Sequence, residues 1–115
     1  MLVRLLIVDD HEDVRLGLRN LIESSRPDWQ ICGEAEDGAK AVAKVQELAP
    51  DVVILDLAMP VVNGAQAAIE IRQVAPTTKI ILFSAHDVPA SVWNGCADAF
   101  VSKLAFANWS PRLSN

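Results

Sequence analysis

The chain has 115 residues, 51% of them hydrophobic and 22% charged, with a formal net charge of −5. This fits one domain of roughly 100–150 residues with ample core material, which excludes a disordered chain. The acidic balance and scattered Lys and Arg argue against nucleic-acid binding by the domain itself, and the apolar start at Met1–Val8 is too short to span a membrane.

Met1–Val8 runs straight into acids and reads as a first strand, over about residues 3–8, rather than as a signal peptide. A helix follows from about Glu12 to Ser24, with Val14, Leu18, Leu21 and Ile22 on one face. Arg26-Pro27-Asp28 breaks it, and Trp29–Ala35 reads as a second strand. Asp37 caps a second helix whose buried stripe is Ala41, Val42, Val45, Leu48 and Ala49, and Pro50 ends it. The third strand is Val52–Asp56, followed by the loop Leu57–Gly64 and a helix from about Ala65 to Val74. Lys79–Ser84 is the fourth strand, Pro89–Asn94 a short fourth helix, and Ala99–Ser102 the fifth strand. Strands alternating with helices imply a parallel sheet with helices on both faces and right-handed crossovers. Cys32 and Cys96 lie far apart, without metal-ligand spacing, and read as reduced, packed thiols of a cytosolic protein.

Asp9 and Asp10 close the apolar run of the first strand, and Asp56 closes that of the third. Buried β-branched runs of this kind belong to parallel sheets, whose ligands gather outside the carboxyl strand ends. Three carboxylates placed there repel, and need a cation or partial protonation. An oxygen-only set of hard ligands suits Mg²⁺. Strand-end capping accounts easily for one such aspartate and poorly for three.

From about residue 3 to 104 the chain strongly resembles the receiver domain of bacterial two-component response regulators. The resemblance rests on four motifs, in order: Asp9-Asp10, Asp56-Leu57-Ala58-Met59-Pro60 with Gly64, Ser84-Ala85, and Lys103. Each piece alone is weak, but all four at successive strand ends are specific. Val8-Asp9-Asp10-His11 and Trp29–Ala35 look most like the subfamily with a C-terminal helix-turn-helix DNA-binding domain. The resemblance implies a flavodoxin-like α/β fold of strand order 2-1-3-4-5. It also implies a receiver domain over residues 1–104, with 105–115 a tail or residual fifth helix.

The resemblance implies that Asp56 accepts a phosphoryl group from a phosphohistidine on a partner kinase or phosphotransfer protein. Asp10, Asp9, Asp56 and the carbonyl of Ala58 would hold Mg²⁺, Lys103 would reach a phosphoryl oxygen, and Ser84 would hydrogen-bond the attached group. Phe100 holds the place of an aromatic that repacks behind that hydroxyl, although a plain core role is equally open. His11 and His86 read as loop residues flanking the site, affecting access or dephosphorylation rate. The expected protein is a cytoplasmic phosphoacceptor rather than an enzyme, assisting its own phosphorylation and dephosphorylation. It would not contact membrane or nucleic acid directly, would allow a homodimer, and would regulate transcription where a DNA-binding domain follows.

Two departures from the family fall in the last third. The segment from Ser84 to Lys103 is about three residues short, nearly one helical turn of the fourth helix. Leu104 replaces a frequent proline, and Pro111 makes 105–115 a poor fifth helix. Trp93, Phe106 and Trp109 would cover the sheet in a substitute way or lie exposed. A protein-interaction module with weakened switching is therefore the alternative reading. An aspartyl-phosphate phosphatase is less favoured, because its first strand carries DxD and the pair here is adjacent. A dinucleotide binder is disfavoured, since no GxGxxG follows the first strand.

Overall fold

The computed structural model describes residues 2–57, 64–84, 95 and 97–102. The chain runs β1 (Val3–Val8), α1 (Glu12–Ser25), β2 (Trp29–Ala35), α2 (Gly38–Leu48), β3 (Val52–Asp56), α3 (Gly64–Val74), β4 (Lys79–Ser84) and β5 (Ala99–Ser102). All five strands lie in one sheet of order β2-β1-β3-β4-β5, and every pairing is parallel. This is the flavodoxin-like order expected from the sequence.

Alternate residues of each central strand feed two separate cores. Leu6, Val8, Val53, Leu55, Ile80 and Leu82 pack with Ala41 and Val45 of α2 and Ala67, Ala68 and Ile71 of α3. Leu5, Ile7, Ile54 and Phe83 pack on the other face with Leu18 and Ile22 of α1. Both faces of the sheet are thus covered, which explains the unbroken apolar runs Leu5–Val8 of β1 and Val52–Leu55 of β3. Only where those runs end in aspartate does polarity return.

Local rules fix the helix ends. The Asp37 side chain accepts the backbone N–H of Lys40 at 2.8 Å, capping α2 as expected. At the far end of α2, Arg4 Nη1 donates to the carbonyls of Leu48 and Ala49 at 2.6 and 3.0 Å, satisfying acceptors the helix leaves open. Ala49 does not belong to the buried stripe. It is the exposed C-cap of α2, at φ 47° in the left-handed region. Pro50 disfavours a right-handed helical conformation in the residue before it, so the helix stops there although its apolar periodicity continues.

Cys32 is half-buried at a bulge in β2. Leu5 pairs with Ile31 and Leu6 with Gly33, which leaves Cys32 as the extra residue. Pro89–Asn94, the shortened segment's helix, Lys103 and the tail 105–115 lie outside the described residues.

Candidate functional site

The register of the sheet brings the strand-end acids together. Val8 of β1 pairs with Leu55 of β3, so Asp9 and Asp56 follow at neighbouring positions on the carboxyl edge. Asp56 pairs with Phe83 of β4, and Ser84 is the next residue of that strand. Asp9 is fully buried, while Asp56 and Ser84 are 2% and 6% exposed. Asp10 remains partly open, with its side chain 28% exposed.

Asp9 is held at three points. Its N–H donates to the carbonyl of Ala35 at 3.1 Å, and its own carbonyl accepts from Arg15 Nη1 at 2.7 Å. Its Oδ1 accepts the backbone N–H of His11 at 2.8 Å, a short Asx-type bond that turns the chain from β1 into α1. His11 itself is largely exposed, and its Nδ1 stands 3.3 Å from Asp9 Oδ1 and 3.1 Å from Asp10 Oδ1. Asp9, Asp10 and His11 thus offer atoms within 4.8 Å of one another.

The donor set fits a hard divalent cation. Asp10 Oδ1 is shielded from solvent yet makes no hydrogen bond among the described residues. Such a buried acceptor is costly unless something positive meets it. Asp9 Oδ1 lies in the same cluster, and Asp56 ends the adjoining strand β3. Hard oxygen ligands of this kind match Mg²⁺ far better than a soft metal.

Beside Asp9, Arg15 Nε donates to Glu34 Oε1 at 2.9 Å, and Arg19 reaches Glu34 Oε2 at 2.6 Å. Partial burial opposes ionisation of Glu34, but the bonds from Arg19 and Arg15 outweigh it and hold its carboxyl below the usual range. On the other side of the site, Gly64 donates its N–H to the carbonyl of Leu57 at 2.9 Å. A Cβ at Gly64 would overlap the Asp56 carbonyl oxygen and lie 2.5 Å from Leu57 Cα.

Of the residues expected from the sequence, Asp9, Asp10, Asp56 and Ser84 share one edge of the sheet. Phe100 lies on β5 opposite Leu82, half-buried against the core on the α2 and α3 side. Ala58, His86 and Lys103 lie outside the described residues. Sequence reasoning missed Arg15 and Glu34. The available signal was an arginine in the first turns of the helix that follows Asp9-Asp10, but its partner is visible only once β2 lies beside β1.

Comparison with known proteins matches residues 5–104 to the model described as the response regulator receiver domain. The chain belongs to this family. A protein-glutamate methylesterase/protein-glutamine glutaminase of Thermotoga maritima is 37% identical over a gapped alignment of 122 positions that covers 96% of this chain and 35% of that protein. The response regulator protein VraR of Staphylococcus aureus is 35% identical over 110 residues, covering 93% of this chain and 52% of that protein. The chain therefore spans between about a third and a half of the curated relatives it matches.

Solved structures agree. The response regulator domain of Thermotoga maritima CheB has a TM-score of 0.84 at 35% identity, covering 98% of this chain and 91% of that one. The signal receiver domain of the putative response regulator NarL from Mycobacterium tuberculosis gives 0.81 at 36% identity, covering 89% and 84%. The receiver domain thus has the family's flavodoxin-like sheet, and its acids stand at the carboxyl edge. Among the described residues no helix is long and apolar enough to cross a membrane.

Proposed function

We propose that this receiver domain takes a phosphoryl group onto Asp56 from a phosphohistidine of a sensor histidine kinase or phosphotransfer protein. The observation that carries the reading is the placement of Asp56, 2% exposed at the end of the central strand, beside Asp9. In the transfer, an Asp56 carboxylate oxygen forms the new P–O bond while the P–N bond to the donor imidazole breaks. The imidazole nitrogen leaves with the electron pair and takes a proton from solvent.

A carboxylate is a weak nucleophile and the incoming group is anionic, so positioning and charge neutralisation set the rate. Asp10, Asp9, Asp56 and the carbonyl of Ala58 would hold Mg²⁺, which supplies positive charge to the phosphoryl oxygens when bound. Lys103 would contribute a further point charge, and Ser84 would donate its hydroxyl to the attached phosphoryl group. Phe100 would repack behind Ser84. The new group adds about −1.5 to −2 charges at the sheet edge, enough to bias a bistable surface. In this reading the domain is a cytoplasmic phosphoacceptor that promotes its own phosphorylation and dephosphorylation. Its output would be transcription where a DNA-binding domain follows, as the name of the related transcriptional regulatory protein DegU of Brevibacillus brevis suggests.

The test is mass spectrometry after incubation with a small phosphodonor and Mg²⁺. One phosphate is expected, lost in Asp56→Asn. A phosphate that persists on another carboxylate of that variant overturns the assignment.

A further inference from the structure

Arg15 sits in α1 with its side chain only 14% exposed, and its guanidinium is divided between two acceptors. Nη1 donates to the Asp9 carbonyl at 2.7 Å, and Nε to Glu34 Oε1 at 2.9 Å. Glu34 stands on β2 one residue before Ala35, whose carbonyl accepts the Asp9 N–H at 3.1 Å. Both peptide groups flanking Asp9 are therefore fastened, one to β2 directly and the other to β2 through Arg15.

The Asp9 carbonyl belongs to the peptide that leads into Asp10. A hydrogen bond on that oxygen fixes the peptide plane before Asp10, the His11 N–H bond to Asp9 Oδ1 holds the one after it, and together they set the direction in which the Asp10 side chain leaves the backbone. A planar guanidinium is suited to this task, because its donors hold fixed angles to one another and can span two acceptors. Glu34 also offsets the positive charge of Arg15, so the acidic edge is braced without being neutralised. Attachment of α1 to the sheet does not need this link: Leu18 and Ile22, with Val14 beside them, already bury their side chains in the core.

We propose that Arg15 is a positioning residue for the Asp9-Asp10 pair, orienting the Asp10 carboxylate for a divalent cation, with Glu34 holding Arg15 in place. The proposal rests on the reading of the acidic edge as a cation site. Groups that orient metal ligands without touching the metal change affinity by roughly 10–100-fold when removed, so an effect near the low end is expected for a partly open site.

Calorimetric titration with MgCl₂ tests this on the whole chain, with urea unfolding in EDTA recorded for each variant. The comparison set is the native chain, Arg15→Gln, Glu34→Gln and Arg19→Gln. Arg15→Gln is expected to weaken Mg²⁺ binding about tenfold, and Glu34→Gln to weaken it less. Arg19→Gln, which loses a Glu34 contact but none to Asp9, is expected to bind like the native chain. A merely structural Arg15 would lower the urea midpoint and leave the affinity of the folded protein unmoved, which overturns the proposal. An equal loss of affinity in Arg19→Gln overturns it as well. If Arg15→Gln does not fold, unchanged affinity in Glu34→Gln has the same consequence. Native protein that does not bind Mg²⁺ overturns the cation-site reading itself, whereas native binding matched by Arg15→Gln overturns this proposal alone.

Discussion

Gly64, the first residue of α3, donates its backbone N–H to the carbonyl of Leu57 at 2.9 Å and so lies directly against the backbone that carries Asp56. No side chain fits between them, since a Cβ there would meet the Asp56 carbonyl and Leu57 Cα. Gly64→Ala must push α3 and the end of β3 apart. We expect a loss of about 2 kcal/mol in urea unfolding, in the range of overpacked cores, together with slower phosphorylation of Asp56. Gly33→Ala is the control. There the first atom met is the flexible end of Leu48, at 2.8 Å, and the loss should be smaller.

Asp37 should matter for stability alone. Its carboxylate accepts the Lys40 N–H at 2.8 Å at the start of α2, a bond that serves the helix end rather than the acids. Asp37→Ala should cost about 1 kcal/mol, the usual value for a lost N-cap. Thermal or urea unfolding reads this directly, and Mg²⁺ affinity should not move.

Asp98 predicts part of the acid limb of stability. Arg72 donates to its Oδ2 at 2.8 Å, the Ile80 N–H does so at 2.8 Å, and both hold its carboxyl below the ordinary value of 3.8. A carboxyl whose folded pKa is depressed contributes stability that is complete above the unfolded value. That contribution is lost as pH falls through the folded value. Stability measured from pH 5 downward should therefore fall less steeply in Asp98→Asn than in the native chain. The variant should also be less stable near pH 7, by about 1 kcal/mol for a lost charge-assisted bond.

The legible parts of this chain are those governed by one element at a time. The runs Leu5–Val8 and Val53–Leu55 are buried on both faces, so their sequence is uniformly apolar and the following aspartates mark the strand ends. That sufficed to place Asp9, Asp10 and Asp56 at one edge. Ala49 was misplaced because helical periodicity continues one residue beyond the point where Pro50 forbids the helix. The bulge at Cys32 was invisible for a similar reason: period-two patterning does not show an inserted residue when both faces are partly covered. The link from Glu34 through Arg15 to Asp9 joins three elements, and nothing in a single segment encodes it.

The crowded acids themselves give the last prediction. Asp9 is fully buried, Asp56 is nearly so, and Asp10 Oδ1 is shielded without a hydrogen bond among the described residues. Without a cation, like charges at this edge oppose folding, and a cation that binds only the folded chain should stabilise it. At a Mg²⁺ concentration ten times its Kd, the gain should be about 1.4 kcal/mol. Asp10→Asn removes one charge and keeps the shape. In EDTA it should unfold at a higher urea concentration than the native chain, and added Mg²⁺ should shift it little. The two proteins should thus converge or exchange order as Mg²⁺ rises. A native chain whose urea midpoint ignores Mg²⁺, or an Asp10→Asn variant that is less stable in EDTA, would mean that charge crowding does not govern this edge.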